Sequence, residues 1–198
     1  MALKTSLSDV YSSLSVEREL EEIKRELQPI AHKCLGFVGS NHHRRMNNLT
    51  GLNLDKVIAN ELNIPYLGKL GLINVTCGAA SYYIAMHHGV GGGKRRGGKA
   101  NNLEDLSMVI PSADIYLEGH THAFTHFVNE VPYIDRKRNR MVSHPAYFVT
   151  TGHYLKWEGS YAQDYKLRPM PIGCSVVTLK AAPVGRIAQK RVKVDFFQ

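Results

Sequence analysis

The chain has 198 residues, 43% of them hydrophobic, with 25 Lys and Arg against 17 Asp and Glu, a formal net charge of +8 and a pI near 9.4. That length and apolar content suit one domain, residues 1–198, with a substantial core, and argue against a disordered chain. No run approaches the ~20 apolar residues needed to cross a bilayer, and Met1 to Ser6 lack an apolar signal core, so the expected setting is the cytoplasm with no membrane partner.

Ser15 is placed to cap a helix, with Glu17 and Glu19 in its first turn. Val16, Leu20, Ile23, Leu27 and Ile30 then recur at steps of four and three, one apolar face that ends near Pro29. Cys34 to Val38 reads as a buried strand. Leu54, Val57, Ile58 and Leu62 mark a second short helix. Leu70 to Thr76 and Ser81 to Met86 read as strands joined at Cys77-Gly78-Ala79. A glycine-and-arginine loop, Gly89 to Gly98, leads to a third helix capped by Asn102 and running through Leu103, Leu106, Val109 and Ile110. Ile115 to Glu118 is the next strand. The remainder is strand-rich: Phe124 to Val128, Tyr133 to Asp135, Met141 to Ser143, Tyr147 to Thr150, Ser175 to Leu179 and Arg191 to Phe196, with a turn at Ala181 to Gly185. Alternating β and α followed by hairpins predicts a layered α/β architecture. Cys34, Cys77 and Cys174 are odd in number and widely spaced, which points to buried free thiols in a reducing compartment.

Three histidine motifs stand at the ends of apolar stretches: Gly39-Ser40-Asn41-His42-His43, His87-His88-Gly89 and Gly119-His120-Thr121-His122. Nitrogen and amide-oxygen ligands of this kind suit a divalent transition metal such as Mn, Fe, Zn or Ni. His120 and His122, two residues apart, would project to one side of an extended backbone. Of His87 and His88 only one can serve, because neighbours on a strand face opposite ways. Basic clusters follow at Arg44-Arg45, at Lys94-Arg95-Arg96 with Lys99, and at Arg136-Lys137-Arg138 with Arg140. Positive surfaces of this sort concentrate phosphate-bearing ligands, although a basic cluster taken alone is usually just a solvated loop.

Together the motifs resemble the calcineurin-like metallophosphoesterase family, over about residues 30 to 125, and Gly89 to Leu103 also resembles its phage-type members. The resemblance implies an α/β/β/α layered sandwich and hydrolysis of phosphomono- or diesters by metal-activated water, in a bacterial or phage-infected cell. It implies Asn41, His88 and His120 as ligands of one metal, His122 as a ligand of the other, and His42 facing the substrate and assisting the leaving group. By position, Arg44, Lys94, Arg95 and Arg96 would hold the substrate phosphate, from a nucleotide or a nucleic acid. His43 stands where the family carries an acidic residue, and Ser40 is an extra residue in the motif.

The family also opens with Asp-x-His and Gly-Asp motifs, and neither occurs upstream of Gly39; Asp9 lacks the surrounding pattern. Ala2 to Tyr11 resembles the segment after Gly-Asp in phage relatives, so the expectation is a domain truncated at its N-terminus. Its ligands Asn41, His88, His120 and His122 are all neutral. Two dications ~4 Å apart repel by roughly 16 kcal/mol even at an effective dielectric of 20. One metal is therefore expected, unless Glu118, a phosphate or another chain stabilises a second. Three readings stay open: a phosphoesterase, inactive in this form if the pair cannot assemble; a non-catalytic, metal-binding or self-associating remnant; and a basic nucleic-acid-binding module.

Overall fold

The Ser15 hydroxyl accepts a hydrogen bond from the Arg18 amide and caps helix α1, Val16–Leu27, with Glu17 and Glu19 in the first turn and Lys24 and Arg25 in the last. The computed structural model describes residues 15–41, 47–48, 51–91, 95–184 and 187–198. They fall into two compact units, one up to Gly71 together with Leu155–Met170, the other Leu72–Tyr154 with Pro171–Gln198.

In the first unit, Leu20 and Leu27 of α1 pack on Ala31, Ile58, Leu62 and Ile64, joined by Cys34 and Phe37. Helix α2, Leu54–Glu61, is capped by the Asn53 side chain, which accepts from the Lys56 amide. Lys24 reaches Glu61 at 2.5 Å. The strand expected over Cys34 to Val38 is instead a 3-10 turn, Ala31–Lys33, followed by a single parallel bridge between Phe37 and Tyr66. The Phe37 amide donates to the Pro65 carbonyl, and the Phe37 carbonyl accepts from Leu67. Carrying the ladder back toward Leu35 needs an N–H at residue 65, which proline lacks, and Leu35 is 60% exposed. Within this unit Tyr161–Asp164 forms a single helical turn after Ser160, and the Trp157 indole donates to the Leu167 carbonyl.

The second unit is built on two sheets. Strands β1 (Leu70–Cys77), β2 (Ala80–His87), β3 (Ile115–Glu118), β4 (His126–Asp135) and β5 (Arg140–Thr150) form a mixed sheet in the order β1-β2-β3-β5-β4. β3 runs parallel to both β2 and β5, and β4 is antiparallel to β5. Strands β6 (Gly152–His153), β7 (Gly173–Val184) and β8 (Ile187–Phe197) form an antiparallel sheet in that order. Strand alternation gives the five-stranded sheet two apolar faces. Ala85, Tyr116, Ala146 and Phe148 meet Leu103 and Leu106 of helix α3, Arg96–Val109, on one face. Ala80, Tyr82, Ile84 and Ile115 meet Val177, Leu179, Ala181 and Val192 of the three-stranded sheet on the other. The chain is thus mixed α/β, and no helix among the described residues is long and apolar enough to cross a membrane. Cys34, Cys77 and Cys174 are free thiols, each half-buried rather than fully buried.

Several boundaries differ from the sequence expectation for reasons of pairing. Asn102 does not cap α3. The helix already starts at Arg96, and the Asn102 side-chain amide Nδ2 donates to the Val90 carbonyl. Phe124 to Val128 and Tyr133 to Asp135 merge into β4, and Met141 to Ser143 and Tyr147 to Thr150 merge into β5, because the β4–β5 ladder is unbroken from His126↔Val149 to Asp135↔Arg140. Pro132 and Pro145 are tolerated inside these strands because, among the described residues, β4 is an edge strand and β5 has no partner but β4 at that height. The turn expected at Ala181 to Gly185 is strand up to Val184, and the tip at 185–186 lies outside the described residues.

Tyr82 ties the two sheets together. It is fully buried, donates to the Lys180 carbonyl at 2.5 Å and accepts from the Arg191 amide at 2.8 Å, residues that pair with each other across β7 and β8. Tyr82→Phe removes the hydroxyl and with it the partner of the Lys180 carbonyl and the Arg191 amide. It should cost about 1–3 kcal/mol, read as a lower urea midpoint with an unchanged m-value. An unchanged midpoint would show that this bond contributes nothing.

Candidate functional site

The parallel β2 and β3 end level with each other, His87 pairing with Glu118. The chain therefore leaves them as two adjacent segments, His88-Gly89 and Gly119 to His122. Gly89 has φ +99, and a Cβ there would lie 2.9 Å from both the Gly119 carbonyl oxygen and the His120 Cβ. Only glycine lets the two segments approach this closely. His120 and His122 have φ of 61 and 48, the left-handed region, and the Thr121 amide bonds back to the Gly119 carbonyl at 2.6 Å. The extended backbone expected for Gly-His-Thr-His is thus a tight turn, and the two imidazoles take different neighbours.

His120 Nδ1 lies 3.2 Å from His88 Nε2, with ring centroids 5.0 Å apart and planes tilted by 60°. His122 lies beside His153 of β6, with centroids 5.4 Å apart. His87 Nδ1 accepts the Gly89 amide at 3.0 Å, and burial lowers its pKa from the ordinary value, which keeps the imidazole in the neutral form an acceptor needs. Of the two adjacent histidines it is therefore His88 that meets His120. His153 is not among the three sequence motifs, although Tyr147 to Thr150 followed by Gly152-His153 repeats their signal: an apolar strand, then glycine and histidine.

The last residue of β3 is an acid. Glu118 is 3% exposed, and its Oε1 has no hydrogen-bond partner among the described residues. Its Cγ lies 3.0 Å from where a Gly89 Cβ would stand, against the segment that carries His88. Burial first, and the charge of Asp105 second, raise the Glu118 pKa to about 7. The Thr121 hydroxyl, between His120 and His122, is also buried without a partner among the described residues.

Two ligands of a tetrahedral metal with bonds of 2.0–2.1 Å stand about 3.3 Å apart. The His88–His120 nitrogens match that separation, and the lone Glu118 oxygen is chemically suited to a cation nearby. Among the described residues, however, no three His, Cys, Asp or Glu side chains group closely enough to enclose a metal. Asn41 is an exposed bend residue of the first unit. His42, Arg44 and Lys94 lie outside the described residues. Arg95 and Arg96 are exposed where α3 begins, and their charges oppose the helix dipole there.

Glu118 yields a pH test. Its folded pKa lies above the unfolded value, so folding favours the protonated carboxyl. The resulting stability is complete below about pH 4.5 and is lost as pH rises through about 7. In chelator-treated protein, Glu118→Gln should gain thermal stability relative to the parent between pH 5 and pH 8, and the gap should widen with pH. Parallel melting curves across that range would contradict the burial of this charge. Comparison of the chain with protein-family models, with curated proteins and with solved structures gives no match.

Proposed function

We propose that this protein is a metal-dependent phosphoesterase of the calcineurin-like metallophosphoesterase type, with the layered α/β/β/α fold of that family. The observation that carries the proposal is the meeting of His88 Nε2 and His120 Nδ1 at 3.2 Å, at the common end of two parallel strands. Strand ends in α/β sheets are where ligands ordinarily bind. The order of the three histidine motifs supports the family. The helix, five-stranded sheet and three-stranded sheet stacked within the second unit agree with three of its layers.

In this reading His88 and His120 hold a divalent transition metal, and His122 would be a ligand of a second one. Such an ion, when bound, polarises a phosphoryl oxygen and acidifies a water molecule. The chain's own contributions are positional and electrostatic. Gly89 allows the ligand segments to touch, the His87 bond to Gly89 fixes the start of the loop, and Glu118, buried against that segment, is a carboxyl that a bound cation would hold ionised. Arg95 and Arg96 raise the local concentration of phosphate.

A second reading is a metal-binding protein without catalysis. It needs only the His88–His120 pair and no second metal. Metal content and hydrolysis of bis-p-nitrophenyl phosphate with manganese, measured on the same preparations, separate the two. The phosphoesterase predicts turnover that chelator removes and metal restores, and that falls by at least ~10²-fold in His88→Ala and in His120→Ala along with the bound metal. Bound metal without turnover selects the second reading. Full metal content in both variants sinks the His88–His120 centre altogether.

A further inference from the structure

The β4–β5 hairpin outruns its sheet. β5 pairs with β3 only from Tyr147 to Thr150, whereas its ladder with β4 continues to Arg140. Val131 and Ala146 still reach the core beneath α3. Beyond them neither strand has another ladder partner among the described residues. The register puts Ile134 directly opposite Met141 on one face of this ribbon, and they are 70% and 78% exposed. The turn Arg136-Lys137-Arg138-Asn139 follows immediately, and Arg140 closes it, all exposed.

The turn has a defined shape. Asp135 Oδ1 accepts from the Lys137 and Arg138 amides, and Oδ2 meets the Arg138 guanidinium at 3.3 Å. Asn139 takes the left-handed conformation with φ 47. Arg138 is thereby partly neutralised. Arg136, Lys137 and Arg140 have no ion-pair partner among the described residues.

We propose that this arm binds duplex DNA, its turn cations against backbone phosphates and its Ile134–Met141 pair against the bases. Three features select this occupant. Two-stranded ribbons are a recurrent DNA-binding element and enter either groove. Exposed apolar side chains next to cations are how architectural proteins wedge into a base step. The order along the arm also matters. The cations lead at the tip and the apolar pair lies behind, with Glu130 on the same face. A lipid-inserting loop needs the reverse order, apolar residues first and long cationic side chains reaching back to the headgroups. The binding needs no metal and so stands apart from the phosphoesterase reading.

The test is fluorescence anisotropy with a labelled 25-base-pair duplex, in the presence of chelator, between 50 and 200 mM salt. The triple variant R136Q/K137Q/R140Q spares the Asp135–Arg138 contact and so the turn. It should bind at least ~10-fold more weakly, with a salt slope lower by about 2 to 3, roughly 0.9 for each phosphate no longer neutralised. The double variant I134S/M141S should bind more weakly with the parental slope. Hydrogen exchange of the unmodified protein provides a readout free of folding defects: duplex should slow exchange in the ribbon from Pro132 to Ser143. Parental affinity and slope in the triple variant overturn the proposal, as does unchanged exchange in the ribbon. Tight binding to vesicles containing phosphatidylserine without binding to duplex overturns it in favour of a membrane contact.

Discussion

Asp114 is the residue on which the second unit turns. It stands one position before β3 and is almost completely buried. Its amide donates to the Tyr83 carbonyl, its carboxylate accepts from the Tyr83 amide, and its carbonyl accepts from Tyr147. These bonds fix β3 between β2 and β5 before the ladders themselves begin. Its carboxylate oxygens both meet Lys190 Nζ at 2.7 Å, and the same ammonium lies 5.5 Å from the centre of the Tyr82 ring. One carboxylate thus sets the register of the first sheet and joins it to the second. A buried charge of this kind is costly when its partner is removed, which makes it a constraint on geometry more than a source of net stability.

That register determines where the histidines meet. With Ile84 opposite Ile115, His87 falls opposite Glu118, and the segments beyond them leave the sheet together. A shift by one residue would turn Tyr82 and Ile84 away from the apolar interior and separate His88 from His120. The site adds local strain to this framework, because two histidines hold left-handed backbone at a cost of order 1–3 kcal/mol each.

Local signals in the sequence are sufficient where the structure is local. The Ser15 cap, the helix α1, the β1–β2 turn at Gly78 and the strand Ile115–Glu118 follow from neighbours a few residues apart, although of the apolar face expected on α1 Leu20 and Leu27 pack while Ile23 and Ile30 are exposed. The histidine motifs are legible too, and His88 and His120 are brought together. The features that cannot be read depend on pairing across the chain. Merging four short apolar runs into β4 and β5 requires knowing that each strand accommodates the other's proline. The left-handed turn at Gly119 to His122 depends on the close approach of Gly89, and the neighbourhood of His122 on β6, a strand of two residues. The strand expected at Cys34 to Val38 is limited by Pro65, a residue far along the sequence.

The two prolines of the β4–β5 ribbon also have a meaning for the life of the chain in a crowded solution. An uncovered edge of this length invites strand addition from a second copy and from there fibrous aggregation. Pro132 and Pro145 each delete an amide donor from it. Each proline interrupts the row of donors that a second strand would need, a form of protection that leaves recognition by side chains intact while discouraging polymerisation.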